Sequence, residues 1–83
     1  MKRKYEVRKN QDGKMAIFSL ISGERISGWY DEIYLSIRLE YMGYFLARQN
    51  EKWAIFDLKT GNRISAWFDK IEIEKKYYIA RQN

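Results

Sequence analysis

Two tryptophans, each preceded by an arginine four positions earlier, are the residues of this 83-residue chain best suited to contact a partner. Arg25 and Trp29 form the first pair, and Arg63 and Trp67 form the second. In an extended strand, positions i and i+4 share one face, so each guanidinium is expected beside its indole. Such a surface can stack on a nucleic-acid base or grip a peptide. The alternative is structural: this face packs on neighbouring strands, and the arginine stem covers the indole.

A second candidate surface comes from the motif Arg-x-Asn, which occurs three times at predicted strand ends. Its arginines are Arg8, Arg48 and Arg81. If these side chains line one edge, they form a basic stripe suited to phosphate or carboxylate groups. The simpler interpretation is that each asparagine is a turn residue, since Asn tolerates the backbone conformations of tight turns.

The residue types that most enzymes and metal sites depend on are missing from the chain. It contains no histidine and no cysteine, which removes the usual acid–base group at neutral pH and the usual soft metal ligands. No glycine-rich phosphate loop and no nucleophile motif is present. We therefore expect no catalytic residues, no bound metal and no cofactor.

The candidate arginines and tryptophans lie in a segment that the sequence contains twice. Residues 14–33 (KMAIFSLISGERISGWYDEI, the first copy) align with residues 52–71 (KWAIFDLKTGNRISAWFDKI, the second copy) at a shift of 38, with 12 of 20 positions identical. Residues 44–50 (YFLARQN) recur as residues 77–83 (YYIARQN) at a shift of 33. The sequence therefore indicates an internal duplication whose period is not constant.

Alternation of apolar and polar residues predicts an all-β fold, an antiparallel meander of about nine short strands. The predicted strands cover residues 4–10, 14–20, 25–30, 33–41, 44–50, 53–58, 63–68, 71–74 and 77–82. We expect a single domain over residues 1–83, with repeat 1 at about 4–43, repeat 2 at about 44–76 and a terminal strand at 77–83. We expect the strands to close as a small barrel or a two-sheet stack, which would protect the last strand. An open edge there would instead invite pairing with another chain.

The bulk composition places the chain among small, mildly basic proteins. Its net charge is +5 and its isoelectric point is about 9.5. The Met-Lys-Arg-Lys start has no apolar run after it, and no stretch has the length of a membrane span. The sequence therefore predicts a cytoplasmic protein with no membrane association.

The duplicated segment resembles the WG repeat family, also called the KWG repeat. Family units read approximately as a strand, Asn-Gly-Lys-Trp-Gly, two apolar residues, Asp, a Thr-Gly turn, an Ile-containing strand and Tyr-Asp-Glu-Ile. The second copy offers residues 52–57 (KWAIFD), 59–61 (KTG) and 68–71 (FDKI), and the first offers residues 12–18 (DGKMAIF), 22–23 (SG) and 30–33 (YDEI). Met15 replaces the family's Trp, Ala16 and Ala54 replace its Gly, and the usual proline is absent. The resemblance implies short antiparallel β units, an interaction module, and no catalytic residues to carry over.

Together these observations predict a non-enzymatic binding module for another protein, with Arg25, Trp29, Arg63 and Trp67 as its contact surface. One alternative is a basic nucleic-acid-binding β domain that uses the same arginines together with an N-terminal cluster formed by Lys2, Arg3 and Lys4. A second alternative is a structural or self-assembling module, a homo-oligomer formed through the terminal edge strand.

Overall fold

The computed structural model of the protein describes residues 3–73 and 78–81. Within these residues the chain forms seven β-strands and one short α-helix. In chain order they are β1 (Tyr5–Lys9), β2 (Met15–Ser19), β3 (Glu32–Tyr34), α1 (Ile37–Met42), β4 (Tyr44–Gln49), β5 (Lys52–Asp57), β6 (Lys70–Ile73) and β7 (Tyr78–Arg81). No helix in this described part is long and apolar enough to cross a membrane.

The strands pair into three small antiparallel sheets, β1-β2, β3-β4-β5 and β6-β7. The prediction of a mostly β, antiparallel protein is therefore confirmed. The prediction of nine strands closed as a barrel or a two-sheet stack is wrong for the described residues, which hold seven strands in three separate sheets. Residues 77, 82 and 83 of the predicted terminal strand lie outside the described residues.

Two hairpins of different loop length build the first two sheets. Gln49 and Lys52 are the last pair of the β4–β5 hairpin, joined by two residues. Both loop residues have positive φ, 52° at Asn50 and 67° at Glu51, as a type I′ turn requires. The β1–β2 loop is longer and contains Gly13 at φ 80°. Met15 lies opposite Lys9, whereas its counterpart Trp53 lies opposite Arg48, so β1 is shifted by one position relative to β4.

The predicted third strands, residues 25–30 and 63–68, do not form continuous ladders. Each is an extended segment that meets the preceding strand at only two isolated bridges. We call them the first arm and the second arm. The bridges are Phe18 to Arg25 and Met15 to Tyr30 in the first copy, and Phe56 to Arg63 and Trp53 to Phe68 in the second. Between its bridges the arm has two more residues than the strand, so the arm must bulge away from the sheet.

The predicted long strand at residues 33–41 is also wrong, since the chain forms β3 and then α1. The Ser36 hydroxyl caps the helix by accepting a hydrogen bond of 3.1 Å from the backbone N–H of Leu39. Gly43 ends the helix at φ 91°, and its N–H donates to carbonyl oxygens of the last turn. Leu39 is 1% exposed and lies against β4 and β5, so burial of one apolar face selects the helix.

Helix α1 also accounts for the change in the alignment shift from 38 to 33. Nine residues, 35–43, connect β3 to β4, whereas four, 74–77, connect β6 to β7. The difference of five residues equals the change in shift. The two strand pairs have the same register, because Glu32 lies opposite Arg48 in one and Lys70 opposite Arg81 in the other.

One hydrophobic cluster draws on both copies. Its buried members are Ile17, Ile33, Phe45, Ala47, Ala54, Phe56 and Leu58. The ring of Tyr30, on the first arm, lies 5.0 Å from the ring of Phe56 on β5. Nearby, the first arm passes so close to the second-copy turn that a Cβ on Gly61 would lie 2.0 Å from the Ile26 carbonyl oxygen. Backbone-to-backbone contact between the copies therefore requires glycine at position 61.

Substitution of the two matching glycines by alanine isolates this contact between the copies. Gly23 and Gly61 share φ +79°, but a Cβ on Gly23 would have nothing within 4 Å. Both variants should lose about 1 kcal/mol from the left-handed backbone conformation. Gly61→Ala should lose roughly 1–3 kcal/mol more, because the chain must move to relieve the clash.

Urea unfolding of the two variants at low protein concentration measures the difference. A lower midpoint for Gly61→Ala than for Gly23→Ala, with similar m-values, is the expected result. Equal midpoints would show that the first arm does not pack against this turn.

Candidate functional site

A serine fixes the middle of each arm, and it is buried in the first arm (Ser27) and half-buried in the second (Ser65). The Ser27 hydroxyl accepts a 2.8 Å hydrogen bond from the Ile17 N–H and donates one of 2.8 Å to the Gly28 carbonyl. The Ser65 hydroxyl makes the same two bonds, to the Ile55 N–H and the Ala66 carbonyl. The serine thus supplies the acceptor that a regular ladder would have provided at the bulge. The matching bonds give both arms the same local shape.

An arginine–tryptophan stack lies on the surface of each arm. The Arg25 Cζ is 5.3 Å from the centroid of the Trp29 ring, and the Arg63 Cζ is 5.3 Å from that of Trp67. Both arginines are exposed and both tryptophans are half-buried. The sequence prediction that each guanidinium lies beside its indole therefore agrees with the geometry. We call these four residues the Arg–Trp surface.

The inner edge of each indole packs on a phenylalanine of the preceding strand. Trp29 meets Phe18 edge-on at 5.9 Å, and Trp67 meets Phe56 at 6.0 Å. Each guanidinium also donates through Nη1 to a backbone carbonyl of its own arm, that of Ser27 or Ser65. These contacts hold the stacks in place, so the surface is preformed rather than flexible. An exposed cation–π pair of this kind contributes about 0.5–1 kcal/mol.

Tyr30 joins the two copies next to the second stack. Its ring contacts Phe56, and Phe56 also contacts Trp67. Burial raises the pKa of the Tyr30 hydroxyl, and the nearby positive charge of Arg63 partly opposes that rise. Tyr30 was not among the candidate site residues predicted from the sequence. The available signal was the difference at matched positions, where Tyr30 carries a hydroxyl that Phe68 lacks.

The structure does not bring the predicted basic edge together. Arg8 lies opposite Ala16 and Arg48 lies opposite Trp53, so the two arginines occupy different positions in their hairpins. The Arg8 Nε donates to Glu6 at 2.6 Å, and the Arg48 Nη2 lies 3.1 Å from the Glu32 carboxylate. Each charge is therefore locally compensated. The side chain of Arg81 lies outside the described part of the structure.

Matching ion pairs attach the end of each arm to the start of its strand. The Lys14 ammonium donates to the Asp31 carboxylate, and the Lys52 ammonium donates to that of Asp69. Asp31 also accepts a 3.1 Å bond from the Asn50 N–H in the β4–β5 turn. The Lys14 hydrogen bond, followed by that of Asn50, lowers the pKa of Asp31. Asp31 thus connects the first copy to the hairpin of the second.

Within residues 3–73 and 78–81, no group of three or more acidic side chains is placed to hold a metal ion.

No protein-family model, no curated protein and no solved structure matches the chain. The Arg–Trp surface offers guanidinium hydrogen bonding combined with aromatic stacking.

The lowered pKa of Asp31 predicts a specific response to acid. The carboxylate is ionised in the folded protein at lower pH than in the unfolded chain. Its stabilising effect is therefore fully present above the ordinary Asp pKa of about 4 and is lost as pH falls through the lower folded value. Asp31→Asn should be less stable than the wild type at neutral pH, and this deficit should shrink as pH falls below 4.

Chemical unfolding at a series of pH values tests this expectation. Asp12→Asn, which removes a carboxylate on the exposed β1–β2 turn, is the matched control. Its free energy of unfolding should change between neutral and acid pH by the same amount as that of the wild type. If Asp31→Asn showed the same pH profile as the wild type, the bonds from Lys14 and Asn50 would not stabilise the fold.

Proposed function

We propose that the protein is a non-enzymatic binding module for another protein and that the Arg–Trp surface is its contact site. The observation that supports this best is the exact recurrence of the stack, with guanidinium and indole 5.3 Å apart in both arms. Arginine and tryptophan are the residue types most enriched among those that dominate binding energy at protein interfaces. Because both stacks are held by strand contacts, little conformational entropy is lost on binding.

The partner chemistry that suits this surface is an acidic peptide segment. A guanidinium carries five N–H donors, and the described bond to the arm carbonyl uses one nitrogen of each. The remaining donors of Arg25 and Arg63 can pair with carboxylates, whose negative charge also complements the net charge of +5. The neighbouring indoles would contact apolar groups of the same segment.

We further propose that the chain consists of two WG-like repeats, at about 4–43 and 44–76, followed by a terminal strand, and that it acts in the cytoplasm. The support for the repeats is that the two copies make the same contacts. Each has a serine bonded into the preceding strand, an arginine–tryptophan stack and a lysine–aspartate ion pair.

Nucleic-acid binding is the less favoured alternative, because an arginine of the N-terminal cluster and two arginines of the predicted basic edge are already paired. Arg3, Arg8 and Arg48 form ion pairs with Glu40, Glu6 and Glu32, respectively. A phosphate would have to displace a carboxylate at each of these positions. By contrast, the described contacts place no carboxylate within bonding distance of Arg25 or Arg63, the two arginines of the Arg–Trp surface.

Titration with two probes of equal charge tests the proposed function. The probes are a glutamate-rich peptide and a mixed-sequence single-stranded DNA, followed by tryptophan fluorescence at near-physiological salt. We expect the peptide to bind and the double variant Arg25→Gln/Arg63→Gln to bind it at least about tenfold more weakly. A tenfold loss corresponds to about 1.4 kcal/mol, near the lower end for one charge-assisted hydrogen bond.

The matched control is Lys9→Gln/Lys59→Gln, which removes the same net charge from exposed positions outside the arms. It should leave peptide affinity little changed. An equal loss in both double variants would show general electrostatic attraction rather than a site. Tighter binding of the DNA than of the peptide would replace the proposed function with nucleic-acid binding.

A further inference from the structure

The contact between the two copies has two complementary halves. One half is the first arm, where Ile26 and Tyr30 face the second copy. The other half is the end of β5 and its turn, where Phe56, Leu58 and Gly61 receive the arm. We call the first the arm face and the second the turn face. The turn face is well covered, since Phe56 and Leu58 are each 2% exposed, and Ile26 and Tyr30 of the arm face are half-buried.

The same two faces recur in the other copy, where one apolar residue of each is exposed to solvent. The turn face of the first copy consists of Phe18, Leu20 and Gly23, at the positions matching those above. Leu20 is 47% exposed, although its counterpart Leu58 is 2% exposed, and Gly23 has nothing within 4 Å of an added Cβ. The arm face of the second copy includes Ile64, which is 53% exposed, whereas its counterpart Ile26 is half-buried.

We infer that two copies of this chain associate head to tail, with the second arm of one molecule on the first-copy turn of the next. Ile64 and Phe68 would lie on Leu20, Phe18 and Gly23, as Ile26 and Tyr30 lie on their counterparts within one molecule. The interface is heterologous, because the two contacting faces are different parts of the chain. This inference goes beyond the proposed function and does not use the Arg–Trp surface as its contact.

The contact between molecules is smaller than the contact inside one molecule. Within one molecule, an apolar face of β1 and β2 also packs on the second sheet. The matching face of β4 and β5 cannot pack on a second molecule in this way, because Leu39 of α1 covers it. The other face of the β1–β2 hairpin carries Glu6 and Arg8, paired with Phe18 and Ala16. The β4–β5 hairpin has the apolar residues Phe45 and Ala47 at the matching positions. Only the arm face and the turn face remain to form the contact between molecules, so we expect the association to be weak and to depend on protein concentration.

The Glu6–Arg8 pair also has a direct effect on this contact. The Arg8 Cζ lies 4.5 Å from the centre of the Phe18 ring, and its Nε bonds to Glu6. This polar cover limits how far the apolar patch extends around Leu20. Because each molecule carries a charge of +5, the association should be measured at near-physiological ionic strength, where long-range repulsion is screened.

Sedimentation of the wild type and two face variants tests the inference. Leu20→Lys changes the turn face and Ile64→Lys changes the arm face, both at exposed positions where the cost in folding is small. We expect the wild-type mass to rise with concentration up to about millimolar. Each variant alone should associate at least about tenfold more weakly, since a charge would be placed in an apolar contact. Tyr41→Lys, at an 80% exposed residue of α1 outside both faces, should associate like the wild type.

An equimolar mixture of the two face variants separates this arrangement from others. Each variant keeps one intact face, so the mixture should form a dimer of one molecule of each and grow no further. A wild type that stays monomeric, or a mixture that fails to associate, would overturn the inference. Association that survives in both single variants would assign self-contact to another surface, such as the edge of β7, and would also overturn it.

Discussion

The packing of the two copies against each other depends on the aromatic contacts of the Phe56 ring. It stacks on Phe45 at 5.0 Å within its own sheet, and it meets Tyr30 of the first arm and Trp67 of the second. Three segments separated in sequence therefore share one buried ring, which is 2% exposed. Burial of a phenylalanine of this kind contributes roughly 1.5–3 kcal/mol, and offset aromatic contacts add to it. In an 83-residue chain this is a large share of the expected stability.

The bulge of each arm connects this packing to the surface chemistry. Two extra residues between the bridges force the arm out of the ladder, and the serine hydroxyl then satisfies the strand N–H that the arm leaves behind. The outward bend places the tryptophan edge on a strand phenylalanine and leaves its face to the arginine. The same local feature thus builds the contact between the copies and presents the guanidinium groups to solvent.

Much of this could be predicted from sequence, because turns and repeats have strong local patterns. The duplication, the antiparallel β class and the pairing of each arginine with its tryptophan all follow from spacing. The helix was missed because Ile33, Leu35, Ile37 and Leu39 fit a period of two, whereas the helix itself buries Leu39 alone. The capping residues Ser36 and Gly43 were the local signal that could have distinguished the two.

Other features depend on register, which local patterns do not specify. The motif Arg-x-Asn aligns Arg8 with Arg48, but the longer β1–β2 loop moves β1 by one position, so Arg8 matches Ala47 instead. A slip of one residue turns every side chain of a strand to the other face. The difference in exposure between Leu20 and Leu58 likewise arises from which neighbour each copy has, and identical residue types cannot reveal it.

Tyr30 and Phe56 join the first arm to the second sheet, and a double-mutant cycle measures the strength of this contact directly. The cycle uses Tyr30→Leu, Phe56→Leu and the double variant, with unfolding followed at low protein concentration. The account predicts a favourable coupling of about 0.5–1.5 kcal/mol. The matched control cycle combines Phe18→Leu with Phe68→Leu, at the positions that match Phe56 and Tyr30 in the other copy. The losses in unfolding free energy of these two variants should add within about 0.5 kcal/mol. Additivity in the Tyr30–Phe56 cycle, or equal coupling in both cycles, would contradict the account.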